Sequence, residues 1–441
     1  MDSSARGWSL AALISLACIH FLVDSYGGLV APLWPLLESA YGISAAGVTV
    51  LFGMWQIAAS MSQPLFAWVG DRWNARSLLW LGPLATVVGL TLIGAVERVE
   101  LLFCSIVLGG LGIGAFHPEV AVRVAESAGP RAMRALSIFV FGGMLGVSAG
   151  PLISGWLVEH YGRHSLVILL PIGLLLLGSA VTVYRVAMRN AGMVEVSERC
   201  AEGDGRAMPR EVRAPVPASG ERIRTLGRAV CLLGIATTRV TPVVGIPLAL
   251  AYTLHRQGTG EAAIGQLQAL FFFAGCVGTL LCPALTRSGR EWEGLFAVGL
   301  LAAGFMTLLA LATGPVLFVI GLLGAGLSMQ GAMPLLIAYS QRVLPNGRRL
   351  AASLTLGASW GIAGVTVAAL HGWLLTSGQE ELLFVTLMPF SVAAVLGLLL
   401  LKPQRPWRAD YVDEQARRTT SQVLGRELSP GSIGSGARLR N

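Results

Sequence analysis
Between Leu108 and Glu126 the chain reads LGGLGIGAFHPEVAVRVAE, an apolar, glycine-rich stretch that takes in His117, Pro118, Glu119 and Arg123. Ionisable groups in hydrocarbon cost roughly 2.5 to 3.5 kcal/mol each on insertion scales, so they persist where a polar cavity needs them. A carboxylate in such surroundings can take a proton at ordinary pH and release it when water or a cationic partner arrives. Two readings of this stretch stand side by side. Glu119 and Arg123, at i and i+4, can form an ion-pair clamp, or His117 and Glu119 can couple proton movement to something else. A second set is His20 and Asp24, one helical turn apart on one face, and a third is the lone Arg239 in ATTRVTPVVG. A guanidinium at that place suits an anionic group through charge-assisted bonds.

The elements that must position these groups follow from composition. Hydrophobic residues make up 54% of the 441 and charged residues 13%, about half the usual charged share, which describes a polytopic membrane protein. A helix needs about 20 apolar residues to cross roughly 30 Å of hydrocarbon. Twelve stretches qualify, at 9–33, 46–69, 77–96, 101–122, 134–157, 165–187, 226–253, 262–285, 293–313, 315–340, 350–374 and 382–402. The first is too long for a signal h-region and is followed by many more, so it reads as a retained span. With the N-terminus inside, only Arg98, Arg163 and Arg256 fall in outside loops and Arg239 within a span, out of 32 Lys+Arg. The positive-inside rule then places both termini in the cytoplasm, and it accounts for the net charge of +8 without nucleic acid as a partner.

The expected fold is all-α: twelve transmembrane helices in two pseudo-symmetric six-helix bundles. Residues 1–187 make the first bundle, 188–225 a flexible cytoplasmic linker rich in Arg, Glu, Gly and Pro, 226–402 the second bundle, and 403–441 a disordered polar tail. The halves repeat weakly. LSIFVFGGMLGVS lies over LTLGASWGIAGVT, aligning Leu136, Gly143, Gly146 and Val147 with Leu354, Gly361, Gly364 and Val365. Two related bundles with a midplane site between them are a common transporter plan.

Depth along the helices sorts the ionisable groups. Counted from the inside end at about 1.5 Å per residue, His20 lies roughly 18 Å up span one and Arg239 roughly 20 Å up span seven, placed to share a substrate near the midplane. Asp24 falls toward the outer third, while His117 and Glu119 fall in the inner third of span four, so contact between Asp24 and Glu119 is not expected. His160, His164 and His255 in outside loops, and His371 near an outside end, read as solvated. Trp8, Trp34, Trp156 and Trp373 near span ends read as interfacial anchors. The six cysteines show no CxxC or Cys/His spacing, so neither a disulfide framework nor a metal site is expected.

Three motifs carry a family resemblance. The loop after span two, AWVGDRWNAR, resembles the GxxxDRxGRR signature of the major facilitator superfamily through Asp71, Arg72 and Arg76, and departs from it at Ala67, Asn74 and Ala75. Span five holds GVSAGPLISG, which resembles the GxxxGPxxGG motif of proton-coupled antiporters through Gly146, Gly150, Pro151 and Gly155, with Ser154 in place of one glycine. Close helix packing by small residues explains the same pattern. A sharper resemblance is to the fosmidomycin-resistance branch of that superfamily. It rests on GAFHPE at 114–119, on His20 and Asp24 followed by APLWPLL, and on LPNGRRLAASLTLGASWGIAG entering span eleven. The arginine that many antiporters carry in span four is absent, with Leu108 near its place.

The resemblance implies a monomeric secondary transporter of the bacterial inner membrane, whose partners are a small-molecule substrate, protons and the bilayer, with no cofactor. Its two bundles would rock around a cavity lined by spans one, four, seven and ten. The expected activity is proton-coupled efflux of a small drug or metabolite, anionic ones such as a phosphonate antibiotic included. Asp24, His117, Glu119 and Arg123 would then serve coupling or gating, and His20, Asp24 and Arg239 substrate binding. Uptake of an organic anion is the alternative within transport. A membrane-embedded enzyme is disfavoured because no HExxH, GxSxG or paired Cys/His site occurs, and a sensor because the polar segments are too short for an output domain.

Overall fold
The computed structural model describes residues 10–73, 76–128, 132–190, 219–287, 289–345, 351 and 353–403. The described residues form helices and no strand, as backbone in hydrocarbon must satisfy its own hydrogen bonds. The first half contains α1 (Leu10–Gly28), a short α2 (Trp34–Tyr41), and a second span that runs as α3 (Ala45–Gln56), a π-helical turn (Ile57–Met61) and α4 (Gln63–Trp73). It continues with α5 (Leu78–Leu92), α6 (Val99–Ala128), α7 (Ala132–Tyr161) and α8 (Leu169–Asn190). The second half contains α9 (Ser219–Arg256), α10 (Glu261–Leu285), α11 (Glu291–Ala310), α12 (Pro315–Val343), a π-helical turn (Ser353–Ala358) leading into α13 (Ser359–Thr376), and α14 (Met388–Leu400).

Eleven helical segments among the described residues are long and apolar enough to cross a membrane, and α5 is a shorter apolar helix between two of them. The all-α polytopic architecture read from the sequence is therefore the one present. Two spans differ in length from expectation. The third is regular over only 15 residues, whereas the fourth runs for 30 residues and continues past residue 122 into the polar AVRVAESA segment. Much of the linker (191–218) and the tail from 404 onward lie outside the described residues.

The halves meet along a seam at one end of the bundle, the end that carries Tyr41, Tyr161 and Arg256. On one side of the seam α3 packs against α13 through small residues. A Cβ on Gly53 would sit 3.2 Å from Ala368, while one on Gly364 or Gly361 would collide with Gln56 or Met61. On the other side α7 meets α10, where a Cβ on Gly155 would collide with the Glu261 carbonyl and one on Gly265 with the Pro151 carbonyl. Three hydrogen bonds cross at this end: Ser148 Oγ to Ala269 O at 2.8 Å, Gln268 Nε2 to Ala31 O at 3.1 Å, and the Ala262 amide to Glu159 Oε2 at 2.8 Å. Toward the other end the approach loosens. A Cβ on Gly357 would meet Pro64 only at 3.8 Å.

Arg163 pins the loops at the seamed end. Its Nη1 donates to Tyr41 Oη at 2.8 Å and Val96 O at 2.7 Å, and its Nη2 pairs with Glu97 Oε2 at 3.1 Å. Burial pushes the Tyr41 phenol pKa up, against the lowering effect of the guanidinium. Two expectations fail here. His371 is fully buried instead of solvated, because α13 packs between α3 and α9 at this level. Trp34 is 3% exposed and stands edge-on to Phe52, so it is a core residue and not an interfacial anchor; Trp156 and Trp373 are exposed, as anchors require.

Candidate functional site
The site begins with how closely α1 and α7 approach. A Cβ on Gly142 would lie 2.7 Å from Ala17 O, and one on Gly146 or Gly150 would collide with the carbonyls of Phe21 or Ser25. Small residues spaced three and four apart let two helix backbones come together in this way. Gly143 belongs to the same face, and a Cβ there would strike the His20 ring and stand 2.7 Å from Asp24 Oδ2. The missing side chain of Gly143 is thus the room in which His20 and Asp24 sit.

Within that room His20 is 5% exposed, with its ring stacked on Phe139 at a centroid distance of 4.0 Å. His117 arrives from α6 with its ring edge-on to His20, 5.0 Å between centroids. His20 Nε2 lies 3.1 Å from Asp24 Oδ2, His117 Nε2 lies 3.4 Å from Asp24 Oδ1, and the two Nε2 atoms are 3.2 Å apart. Each Nδ1 faces a carbonyl: His20 that of Phe139 at 2.8 Å, His117 that of Ile113 at 2.9 Å. A carbonyl only accepts, so each Nδ1 carries the hydrogen and each neutral ring turns a lone pair inward at Nε2. Two imidazole lone pairs and a carboxylate therefore converge within hydrogen-bond reach with no hydrogen among them. One proton on either Nε2 makes that nitrogen a donor to Asp24 and removes its part of the conflict.

The same three donor atoms lie within 4.8 Å of one another, the spacing of a metal-ion site, and among the described residues no other group of three or more such side chains does so. Imidazoles whose Nδ1–H is held by a carbonyl are also the kind that ligate metals. The sequence had suggested no metal site, because the three residues come from two distant helices.

His117 joins this cluster although depth counting put it an inner third away from Asp24. The fourth helix extends from Val99 to Ala128, so His117 falls near its middle and not near its end. Glu119, two residues on, points elsewhere: its Oε1 accepts from Arg123 Nε at 3.0 Å and Nη2 at 2.9 Å. A Cβ on Gly70 of α4 would be 3.4 Å from Glu119 Oε2, so the pair sits against the helix that carries the Asp71–Arg72 motif. Of that motif, Arg72 and Arg76 are exposed, and the Asp71 side chain lies outside what is described. Gly146 and Gly150 pack α7 on α1, while Pro151 and Gly155 pack it on α10 as well.

Arg239 is not brought to this cluster. It is 8% exposed, donates through Nη1 to Met329 O of α12 at 2.6 Å, and lines a cavity among α9, α11, α12 and α14. Sequence reasoning missed Gly143, Phe139 and Ser391 as parts of the two centres. Gly143 was readable as the start of the 143, 146, 150 glycine ladder; the others contribute a backbone carbonyl or a lone hydroxyl that no spacing marks.

The model of the Major Facilitator Superfamily matches residues 16–217 and 228–433. The fosmidomycin resistance protein of Escherichia coli is 24% identical over 371 residues, covering 82% of this chain and 86% of that protein. An uncharacterized MFS-type transporter of Bacillus subtilis is 22% identical over 391 residues, 88% of this chain and 91% of its own length. A multidrug resistance protein B homolog of Mycobacterium tuberculosis is 30% identical over 146 residues, 33% of this chain and 27% of that one.

Proposed function
This chain belongs to the Major Facilitator Superfamily, and from that premise we propose that it exports a small compound in exchange for protons, with His20, Asp24 and His117 as the proton-binding centre. Membership makes it a membrane transporter and not an enzyme. One observation carries the proton assignment: three acceptors meet in the first bundle with both ring hydrogens already committed to carbonyls. Such a centre is stable with a bound proton and unfavourable without one, unless another cation or a rearrangement replaces it. Coupling follows if the arrival of substrate or water supplies that rearrangement and the proton leaves.

The compound class we assign is a small anion of the phosphonate kind, a reading supported by the full-length relative named for fosmidomycin resistance. Glu119 and Arg123 act as a gate beside α4, since their ion pair touches the cytoplasmic helix end that the positive-inside count identifies. With that orientation the seam closes the outer end. The protein works in the inner membrane with both termini cytoplasmic.

The test is exchange in proteoliposomes under an imposed pH gradient, with fosmidomycin as the first compound and proton flux read together with labelled compound. Wild type is expected to couple the two fluxes, and Asp24→Asn, correctly inserted, to lose the coupling. Coupled exchange at the wild-type rate in an Asp24→Asn, Glu119→Gln double variant would overturn the proposal. Cells supply the direction: an exporter raises tolerance to its compound, whereas an importer sensitises the host.

A further inference from the structure
The second bundle holds a charge that no carboxylate among the described residues balances. Arg239 is buried in α9, and its single hydrogen bond among the described residues, Nη1 to Met329 O, leaves Nε and Nη2 without partners. Those two nitrogens are the parallel edge of the guanidinium, the edge that grips a carboxylate, an oxyanion or a halide from the side. No carboxylate among the described residues comes within ion-pair distance of it, and Glu261, Glu291 and Glu380 of this half are paired elsewhere, with His255, Arg342 and Arg256. An unaccompanied buried cation costs several kcal/mol.

Beside Arg239 is a cavity of about 30 Å³, above the roughly 10–15 Å³ that one water needs. Its walls are apolar, Leu295, Ala302, Ala332 and Val395 among them, with one further polar side chain, Ser391 of α14. The Ser391 hydroxyl is buried and also has no partner. A cation with an open fork, a hydroxyl with a hydrogen to give and a small space bounded by both make a receptacle for an anion. We propose that Arg239 and Ser391 bind a resident monovalent anion, chloride under ordinary conditions, inside the second bundle and apart from the His20–Asp24–His117 centre. The ion neutralises the guanidinium and accepts from Nε, Nη2 and the Ser391 hydroxyl. The size of the cavity selects a halide over a phosphonate group, which brings three oxygens and a carbon with it.

The experiment uses the full chain purified in detergent with gluconate as the only anion, titrated with chloride or bromide at constant ionic strength while thermal unfolding is followed. Wild type is expected to gain a saturable rise in Tm with a single-site midpoint. Ser391→Ala should shift that midpoint about tenfold upward, since a hydrogen bond to a charged group is lost. Arg239→Met should abolish the response, and because Ser391→Ala removes only a hydroxyl, it keeps the test decisive if the arginine variant fails to fold. Bromide anomalous scattering between Arg239 and Ser391 would place the ion. A Tm indifferent to halide in wild type, or an equal response in Ser391→Ala, overturns the site. Displacement of bound bromide by fosmidomycin would put substrate there instead of a resident ion and overturn it equally. None of these readouts depends on proton-coupled transport, so this site and the exchange mechanism stand or fall separately.

Discussion

Each half of the molecule buries ionisable side chains near the middle of its first helix, and the two halves handle them in opposite ways. In the first, His20, Asp24 and His117 face one another, so charge can be redistributed inside the cluster by one proton. In the second, Arg239 stands among apolar walls with two of its three guanidinium nitrogens unpartnered, and no carboxylate among the described residues balances it. On the roles proposed for them, the two bundles differ in what they exchange with their surroundings. A mutual cluster responds to protonation, and a solitary fixed charge responds to anions.

The comparison breaks most visibly at Asp24. Asp24→Asn should drop proton-driven exchange in vesicles to the level of empty liposomes while the protein remains folded, because an amide carries no charge for an imidazolium to balance. If coupling survives, the first half is no more a proton centre than the second. Next in size is Gly143→Ala, whose Cβ would strike the His20 ring; overpacking of this kind costs about 1–3 kcal/mol and should lower Tm together with exchange. Gly178→Ala is its control, since nothing lies within 4 Å of that position, and a gain of roughly 0.5–1 kcal/mol is expected there from helix propensity alone. Equal effects at the two glycines would mean that the α1–α7 contact does not shape the cluster.

Glu159→Ala tests the seam that both halves share. It removes the acceptor for the Ala262 amide at the start of α10, a cap worth about 0.5–2 kcal/mol, and should shift the population toward a parted seam, read as longer spin-label distances across it. The smallest effect is expected for Arg239→Met in halide-free buffer. Replacing a buried charge by an apolar side chain of similar length is often neutral or stabilising, so Tm should hold or rise there. A large loss would show that the second half, like the first, balances its charge internally.

Much of this was legible in the chain. Apolar runs of span length and the placement of Arg residues determine the architecture, and His20 with Asp24 is evident from an i, i+4 spacing. The membership of His117 was not, because its depth was counted on a helix taken as ending at 122, and the helix continues to Ala128. The surroundings of Arg239 were hidden for a different reason. A span that is apolar all round carries no stripe to tell which face looks into the bundle, into the neighbouring half or out to lipid, so a residue can be placed in depth without being placed in azimuth. Ser391 is invisible on the same ground.

The wide turns at Ile57–Met61 and Ser353–Ala358 lie on the two helices that form one side of the seam. Thr49, Gly53 and Gln56 face α13 in ordinary α-helical phase, which would bring Ser60 next, yet it is Met61 that meets Gly361. Each π turn spends one residue without advancing the winding, and so rotates everything beyond it by about 100°. Both stripes are steered off one another at the level where the halves begin to part. The far end of this helix pair therefore cannot close by simply continuing the zipper of the near end. Any contact there has to be made through other residues of the same two helices.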